Sequence, residues 1–160
     1  MVKLDARSEA NLKQVHPDLV KVVRRAAEIT GVDFIVTEGV RTLQRQKQLV
    51  AKGASQTMRS RHLAGGALNV SHAIDLAAKV GGKVRWDWPL YERLARAMKD
   101  AARDVGVPIE WGGDWRSFKD GPHFQLPWST YPALGKNEHL ARRDNFHRSK
   151  INLRMCGLFT

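Results

Sequence analysis

The order of apolar and polar positions along the chain predicts short helices mixed with short strands. Apolar residues recur at helical spacing over residues 17–29 and 89–105, and a third helical pattern covers residues 43–52. Short apolar runs between turn residues predict four strands, at residues 34–37, 72–77, 109–111 and 122–126. Because helices and strands do not alternate regularly, the pattern favours an α+β fold with a small, mainly antiparallel sheet flanked by helices.

The remaining segments have the composition of loops and termini. Residues 54–70 are rich in Gly, Ser and basic side chains and predict a surface loop, and residues 80–83 predict a turn. Residues 1–14 are polar and mixed in charge, without the apolar stretch of a secretory signal. We therefore expect a single domain over residues 1–134, followed by a basic tail over residues 135–160 that is either helical or partly disordered.

Composition limits the classes of partner. The chain has 160 residues, 42% of them hydrophobic, which suits one globular domain, and no apolar run is long enough to span a membrane. The net charge of +11 favours an acidic partner, such as nucleic acid, an anionic wall polymer or a bacterial outer surface. The single cysteine, Cys156, excludes an internal disulfide and a cysteine-based zinc cluster, and we interpret it as a passive thiol.

Candidate chemistry is concentrated in two short segments that each contain a histidine. His62 lies in a Gly-containing segment, and His123 follows Asp120 across Gly121 and Pro122. The chain turns at Gly121 and Pro122, so Asp120 and His123 can face one site. Two imidazoles, with a nearby carboxylate that handles protons, are typical of a catalytic zinc centre, which keeps one position open for water.

The third metal ligand is one of two residues. His72 and Asp75 are three positions apart in a predicted strand, so only one of them can face the site. Both side chains are legitimate zinc ligands, and we favour Asp75 because its charge offsets that of a divalent cation. His16, at the predicted start of a helix, has no comparable neighbours, and we interpret it as structural or solvated.

These segments together resemble a family of zinc peptidases. Ser60, His62 and Gly65 resemble the start of the Ser-x-His-x-x-Gly-x-Ala-x-Asp signature of peptidoglycan peptidases, the D-alanyl-D-alanine carboxypeptidases and the L-alanyl-D-glutamate endolysins. Asp120 and His123 resemble the second signature of that family. The segment 111–115 is similar to the one that precedes this signature in the endolysin branch, and the segment 38–41 resembles an arginine-bearing turn. The resemblance covers about residues 17–128.

One departure from the signature leaves two alignments. Without a gap, Asn69 occupies the position of the family's aspartate; with a six-residue insertion after Gly65, Asp75 does so and Leu76 follows it. We prefer the second alignment because neutral Asn is a poorer zinc ligand. It places residues 66–71 in a bulge at the rim of the site.

The resemblance implies a role for each matching residue. His62, Asp75 and His123 are expected to bind one zinc ion per chain. Asp120 is expected to be the general base. Arg41 matches an arginine that binds the scissile carbonyl or its oxyanion, and Ser60 is expected to support the site or contact substrate.

The implied activity is hydrolysis of peptidoglycan stem peptides. The tryptophan-containing segment and the domain size favour the L-alanyl-D-glutamate bond and a phage endolysin over a D-alanyl-D-alanine carboxypeptidase. We expect a monomer that approaches the anionic bacterial envelope without stable membrane insertion. Lacking a signal peptide, it would be made in the host cytoplasm and reach the wall through a holin-type pore, or act as a cytoplasmic recycling enzyme.

Two non-enzymatic alternatives remain. The tail contains basic residues that could contact the phosphates of nucleic acid, namely Arg142, Arg143, Arg148, Lys150 and Arg154. No zinc-finger spacing or other nucleic-acid signature supports that function, so nucleic acid is not the expected partner. A catalytically inactive wall-binding relative would result if Asn69 occupied the ligand position.

Overall fold

The computed structural model describes residues 1–132, so the tail predicted over residues 135–160 and the domain boundary at 134 lie outside the described residues. The helices are α1 (Ala6–Leu12), α2 (Pro17–Ile29), α3 (Leu43–Ala51) and α4 (Trp88–Val105), with a 3₁₀ turn at Gly112–Asp114. The strands are β1 (Phe34–Glu38), β2 (Ala73–Val80), β3 (Lys83–Arg85), β4 (Glu110–Trp111) and β5 (His123–Gln125). The predicted α+β class is confirmed.

The strands form one sheet in which β2 is central. The order is β1-β2-β5-β4, with β3 also paired to β2, and every pairing between these described strands is antiparallel. Asp75 on β2 lies opposite His123 on β5 and, across a register shift in β1, opposite Glu38. The register therefore brings three polar residues from separate strands to one level of the sheet.

Alternation along the strands separates the core from the polar site. On β2, Ile74 and Leu76 are fully buried in the core, and on β5 Phe124 is fully buried there. Because successive side chains in a strand point to opposite faces, Asp75 and His123 lie on the other face of the sheet. Helices α2 and α4 complete the core with apolar stripes that include Leu19, Val22, Leu94, Met98 and Ala101.

Helix α1 was not predicted, and it supports the outer edge of β1. Asp5 caps it by accepting a hydrogen bond from the Ser8 N–H at 2.8 Å. The buried Ser8 hydroxyl accepts from the Val36 N–H at 3.0 Å, and the Asn11 amide donates to the Val36 carbonyl at 2.8 Å. Side chains thus satisfy backbone groups at the irregular end of β1, where a further strand would otherwise pair. The polar sequence of residues 1–14 carries only a weak helical pattern, since Leu12 is the one buried apolar residue of α1.

The other predicted elements are found with shifted ends. Strand β2 runs on to Val80, and Lys83–Arg85 forms strand β3 beyond the predicted turn. All three residues of β3 are exposed, so no apolar alternation marked this strand in the sequence. Helix α4 ends at Gly106, whose positive φ of 68° suits glycine. Within residues 1–132, no helix is both long and apolar enough to cross a lipid bilayer.

Candidate metal centre and cleft

His62, Asp75 and His123 converge on one point at the polar face of the sheet. The Nε2 atom of His62 lies 3.2 Å from the Oδ1 atom of Asp75 and 3.2 Å from the Nδ1 atom of His123, which is itself 3.2 Å from that Oδ1. Both histidines are buried. Three side chains from the loop before β2, from β2 and from β5 therefore present one atom each to a shared position, an arrangement that could hold a metal ion.

A backbone carbonyl determines the tautomer of His62. The Nδ1 atom of His62 lies 2.7 Å from the Gly39 carbonyl oxygen, which can only accept a hydrogen bond. The ring therefore carries a proton on Nδ1, and in its neutral form it presents the lone pair of Nε2 to Asp75 and His123. Metal-binding histidines commonly use their second nitrogen in this way.

The tautomer of His123 is determined by two further side chains. The Nε2 atom of His123 lies 3.0 Å from Gln125 Oε1, and the amide nitrogen of Gln125 donates to Glu110 Oε2 at 2.7 Å. Because an ionised carboxylate can only accept, Glu110 holds the NH₂ group of Gln125 on its own side, and the amide oxygen faces His123. In its neutral form His123 then carries its proton on Nε2 and directs the lone pair of Nδ1 into the cluster.

With both imidazoles neutral, the three converging atoms are all acceptors, and a cation bound between them would stabilise this arrangement. Zinc is bound by His nitrogen and carboxylate oxygen at about 2.0–2.2 Å, which in a tetrahedron puts ligand atoms roughly 3.3–3.6 Å apart. The observed separations of 3.2 Å are close to that value. The donor set and its spacing therefore fit a zinc ion with one position left for another ligand.

Electrostatics favour the ionised form of Asp75. Burial acts to raise the pKa of this carboxyl, but the facing imidazoles of His62 and His123 outweigh burial and hold the pKa well below its usual range. For His123, burial acts to lower the pKa, and the hydrogen bond and charge of Asp75 outweigh it and raise the pKa. The carboxylate thus attracts positive charge to the point where the three residues meet.

Arg41 is held beside this cluster by acidic and amide groups. Its Nη2 donates to Glu38 and lies 3.4 Å from Asp75 Oδ2, while its Nη1 donates to Gln46 Oε1 at 2.8 Å. Gln46 is fully buried and donates in turn to the Thr57 carbonyl at 2.6 Å. In this arrangement Arg41 orients Asp75.

Asp120 reaches the site through a turn that is packed against Gly112. A Cβ atom at Gly112 would lie 2.5 Å from the Asp120 carbonyl oxygen and 3.1 Å from the His123 Cβ, so only glycine permits this approach. The Trp111 indole donates to the Gly121 carbonyl at 2.8 Å and fixes the other side of the turn. Burial, followed by the charge of Asp75, raises the pKa of the Asp120 carboxyl. A raised pKa suits a group that takes up and releases a proton.

These residues form the floor of an open cleft of about 430 Å³. Its walls include Trp115, Phe118, Arg59 and Trp128, and the Trp115 ring lies 5.2 Å from that of His123. Ser60 also lines the cleft, where its hydroxyl accepts a hydrogen bond from the His62 N–H at 3.2 Å. A cleft of this size accommodates a ligand as large as a few peptide residues.

The two alternative candidates for the third metal ligand, Asn69 and His72, lie away from the cluster. Asn69 is exposed in a turn closed by reciprocal hydrogen bonds between Gly65 and Val70, with a positive φ of 52°. His72 faces away from the cluster, and its Nδ1 lies 3.0 Å from the Val70 carbonyl oxygen. His16 caps α2, since its Nδ1 accepts a hydrogen bond from the Asp18 N–H at 3.2 Å. The structure brings Asp75, and neither Asn69 nor His72, to His62 and His123.

Sequence reasoning missed four residues that orient the site, namely Glu38, Gln46, Glu110 and Gln125. The signal for Gln125 is its position two residues after His123, on the same face of a strand. Gln46 is the one buried residue of α3, and no apolar pattern in the sequence marks it. The partnership of Glu110 with Gln125 depends on the pairing of β4 with β5, which the local pattern does not specify.

Comparison with known proteins places these features in a family. The model of the phage L-alanyl-D-glutamate peptidase family matches residues 1–126. The chain belongs to this family. The L-alanyl-D-glutamate peptidase of Escherichia phage T5 is 32% identical over 133 residues, which cover 81% of this chain and 92% of that protein.

Two further relatives match about four fifths of this chain. The L-alanyl-D-glutamate peptidase of Listeria phage A118 is 36% identical over 129 residues, or 79% of this chain and 43% of that longer protein. The crystal structure of the L-Ala D-Glu endopeptidase ChiX from Serratia marcescens superimposes with a TM-score of 0.73 at 48% identity, covering 82% of this chain and 95% of ChiX. The family suggested by the sequence signatures is therefore confirmed.

Proposed function

We propose that this protein is a zinc-dependent endopeptidase that hydrolyses the bond between L-alanine and D-glutamate in peptidoglycan stem peptides, acting as a phage endolysin. The observation that carries the proposal is the convergence of three acceptor atoms from His62, Asp75 and His123 on one point at the floor of an open cleft. Membership of the phage L-alanyl-D-glutamate peptidase family supports the choice of bond.

His62, Asp75 and His123 would hold one zinc ion per chain. When bound, zinc would act as a Lewis acid and lower the pKa of a water molecule towards neutrality. Asp120 accepts the proton of the attacking water and donates it to the leaving amine. Arg41 orients Asp75 and places a positive charge beside the reacting carbonyl. Ser60 supports the backbone of His62 at the cleft wall.

The proposed substrate and the charge of the chain are compatible. The net charge of +11 favours approach to the anionic bacterial envelope, and peptidoglycan lies within that envelope. For a phage lysin, release from the host cytoplasm through a holin-type pore would bring the protein to its substrate. We propose that the protein acts there as a monomer.

The test is digestion of purified peptidoglycan followed by mass spectrometry of the fragments. New amino-terminal D-glutamate and carboxy-terminal L-alanine are expected, and a chelator should abolish their formation until zinc is restored. Release of free D-alanine instead would identify a D-alanyl-D-alanine carboxypeptidase. Absence of any cleavage by zinc-loaded protein would contradict the enzymatic function.

A further inference from the structure

Three arginines line the cleft, and two of them are occupied by groups of the protein itself. Arg41 is bonded to Glu38 and Gln46 beside Asp75. Arg61 is buried, and its guanidinium donates to the carbonyl oxygen of Leu126 at 2.7 Å and to that of Tyr131 at 2.9 Å. Both guanidinium groups therefore serve to hold the walls and floor of the cleft.

Arg59 differs from the other two because, within residues 1–132, its guanidinium makes neither an ion pair nor a hydrogen bond. Its side chain is exposed, and its Cζ lies 4.5 Å from the centroid of the Trp128 ring. The Cζ of Arg61 lies 4.1 Å from the same centroid, so two like charges share one aromatic ring. Stacking on an aromatic ring restricts a guanidinium without using its N–H donors. Arg59 therefore presents an ordered fork of donors to the cleft.

The acidic residues at the floor of the cleft disfavour the binding of an anionic group of the substrate there. Asp75 and Asp120 are carboxylates close to the proposed metal, and Glu38 adjoins them through Arg41. An anionic group of the substrate would be repelled by these residues unless a cation on the wall binds it. Among the residues lining the cleft, Arg59 is the cation that is free to do so.

The proposed substrate contains such an anion. A glutamyl residue has two carboxyl groups, of which only one continues the peptide chain, so the other is free and ionised at neutral pH. Arginine recognises carboxylates by paired N–H bonds. We propose that Arg59 determines specificity by binding the free carboxylate of the D-glutamyl residue on the leaving-amine side of the scissile bond, an inference that rests on the proposed function.

The test compares two synthetic stem peptides, one with this D-glutamyl carboxylate free and one with it converted to the neutral amide. The wild-type protein should cleave the acid peptide with the higher kcat/KM. In Arg59→Gln, the ratio of the acid to the amide value should fall by about 10- to 100-fold, the usual effect of losing a hydrogen bond to a charged group. Arg59→Lys should restore part of the ratio, since it keeps the charge and loses the fork.

The matched control is Arg96→Gln, which removes an exposed arginine of α4 that does not line the cleft. It should leave the ratio unchanged, and zinc content and thermal unfolding should be the same for all variants. Equal losses on both peptides in Arg59→Gln, or a wild-type protein that does not distinguish them, would overturn the inference while leaving the peptidase function intact. Failure of the zinc-loaded wild type to cleave either peptide or peptidoglycan would remove both.

Discussion

Four histidines lie within residues 1–132, and they form two pairs whose rings are almost equally close. The ring centroids of His62 and His123 are 5.0 Å apart, and those of His16 and His72 are 5.1 Å apart. Proximity of two imidazoles therefore does not by itself distinguish a metal centre from a structural contact.

The pairs differ in the groups around them. Asp75 lies between His62 and His123 and raises the pKa of His123 against the effect of burial. His72 has no acid beside it; burial, then the charges of Arg61 and His16, lower its pKa to about 4. The first pair therefore shares a carboxylate, whereas in the second pair the nearby acid, Asp18, lies beside His16, 3.8 Å from its Nδ1. A carboxylate between the rings, together with hydrogen bonds that direct the ring nitrogens, makes the first pair suited to hold a metal ion.

The largest expected effect is the contrast between removing His123 from the first pair and removing His72 from the second. His123→Ala should lose stoichiometric zinc and lower peptidoglycan hydrolysis by about a thousandfold or more, because the ion's contribution to catalysis is several kcal/mol. His72→Ala should keep its zinc. Elemental analysis after dialysis and turbidity loss of purified walls measure both properties. Retention of zinc by His123→Ala, or its loss from folded His72→Ala, would remove the distinction between the pairs.

The second-largest effect is expected at Asp120, whose replacement tests proton transfer separately from metal binding by His62 and His123. Asp120→Asn keeps the shape of the side chain and should retain zinc, while kcat falls by about 10²- to 10⁴-fold because the group can no longer accept a proton. Asp114→Asn is the matched control, since Asp114 is exposed and paired with Lys99. Unchanged turnover in Asp120→Asn would exclude Asp120 as the base.

A smaller effect is expected from the residues that orient His123. Glu110→Gln leaves Gln125 free to turn its NH₂ group towards His123, so the Nε2 proton is no longer specified. Zinc affinity, measured by competition with a chromogenic chelator, should weaken by about 10- to 100-fold. The ¹⁵N shifts of His123 in the metal-free protein should report a mixed tautomer. Glu92→Gln, an exposed change on α4, should alter neither property.

The smallest expected effect is on the pH dependence of the free energy of unfolding, to which His72 of the second pair contributes. His72 has a pKa of about 4 in the folded protein against 6.5 for the free side chain, so the unfolded chain takes up its proton first. The free energy of unfolding should therefore fall as the pH drops from about 6.5 to about 4.

His72→Asn should show a flatter decline over that range. Urea titrations in the presence of a chelator, at a series of pH values, compare the two proteins without a contribution from metal release. A parallel decline in wild type and variant would place the proton uptake elsewhere.

The sequence predicted the main elements because their patterns are local. Helices α2 and α4 have apolar stripes at helical spacing, and Asp75 and His123 lie in strands whose alternate residues are apolar. Helix α1 and strand β3 were missed for the same reason, since α1 buries one apolar residue and β3 buries none. Helix α1 is stabilised by contacts with β1, which lies far away in the sequence, and β3 is stabilised by its pairing with β2.

By itself, the sequence determined which chemical groups are available and which local segments carry them: His62, Asp75, Asp120, His123 and Arg41, in or beside predicted strands and turns. Only the tertiary structure decided that Asp75, and not His72 or Asn69, meets the two histidines. It also decided which nitrogen of each ring faces the cluster, through the Gly39 carbonyl and the pair of Gln125 and Glu110. The physical reason is that hydrogen bonds between distant segments depend on strand register, which local periodicity does not specify.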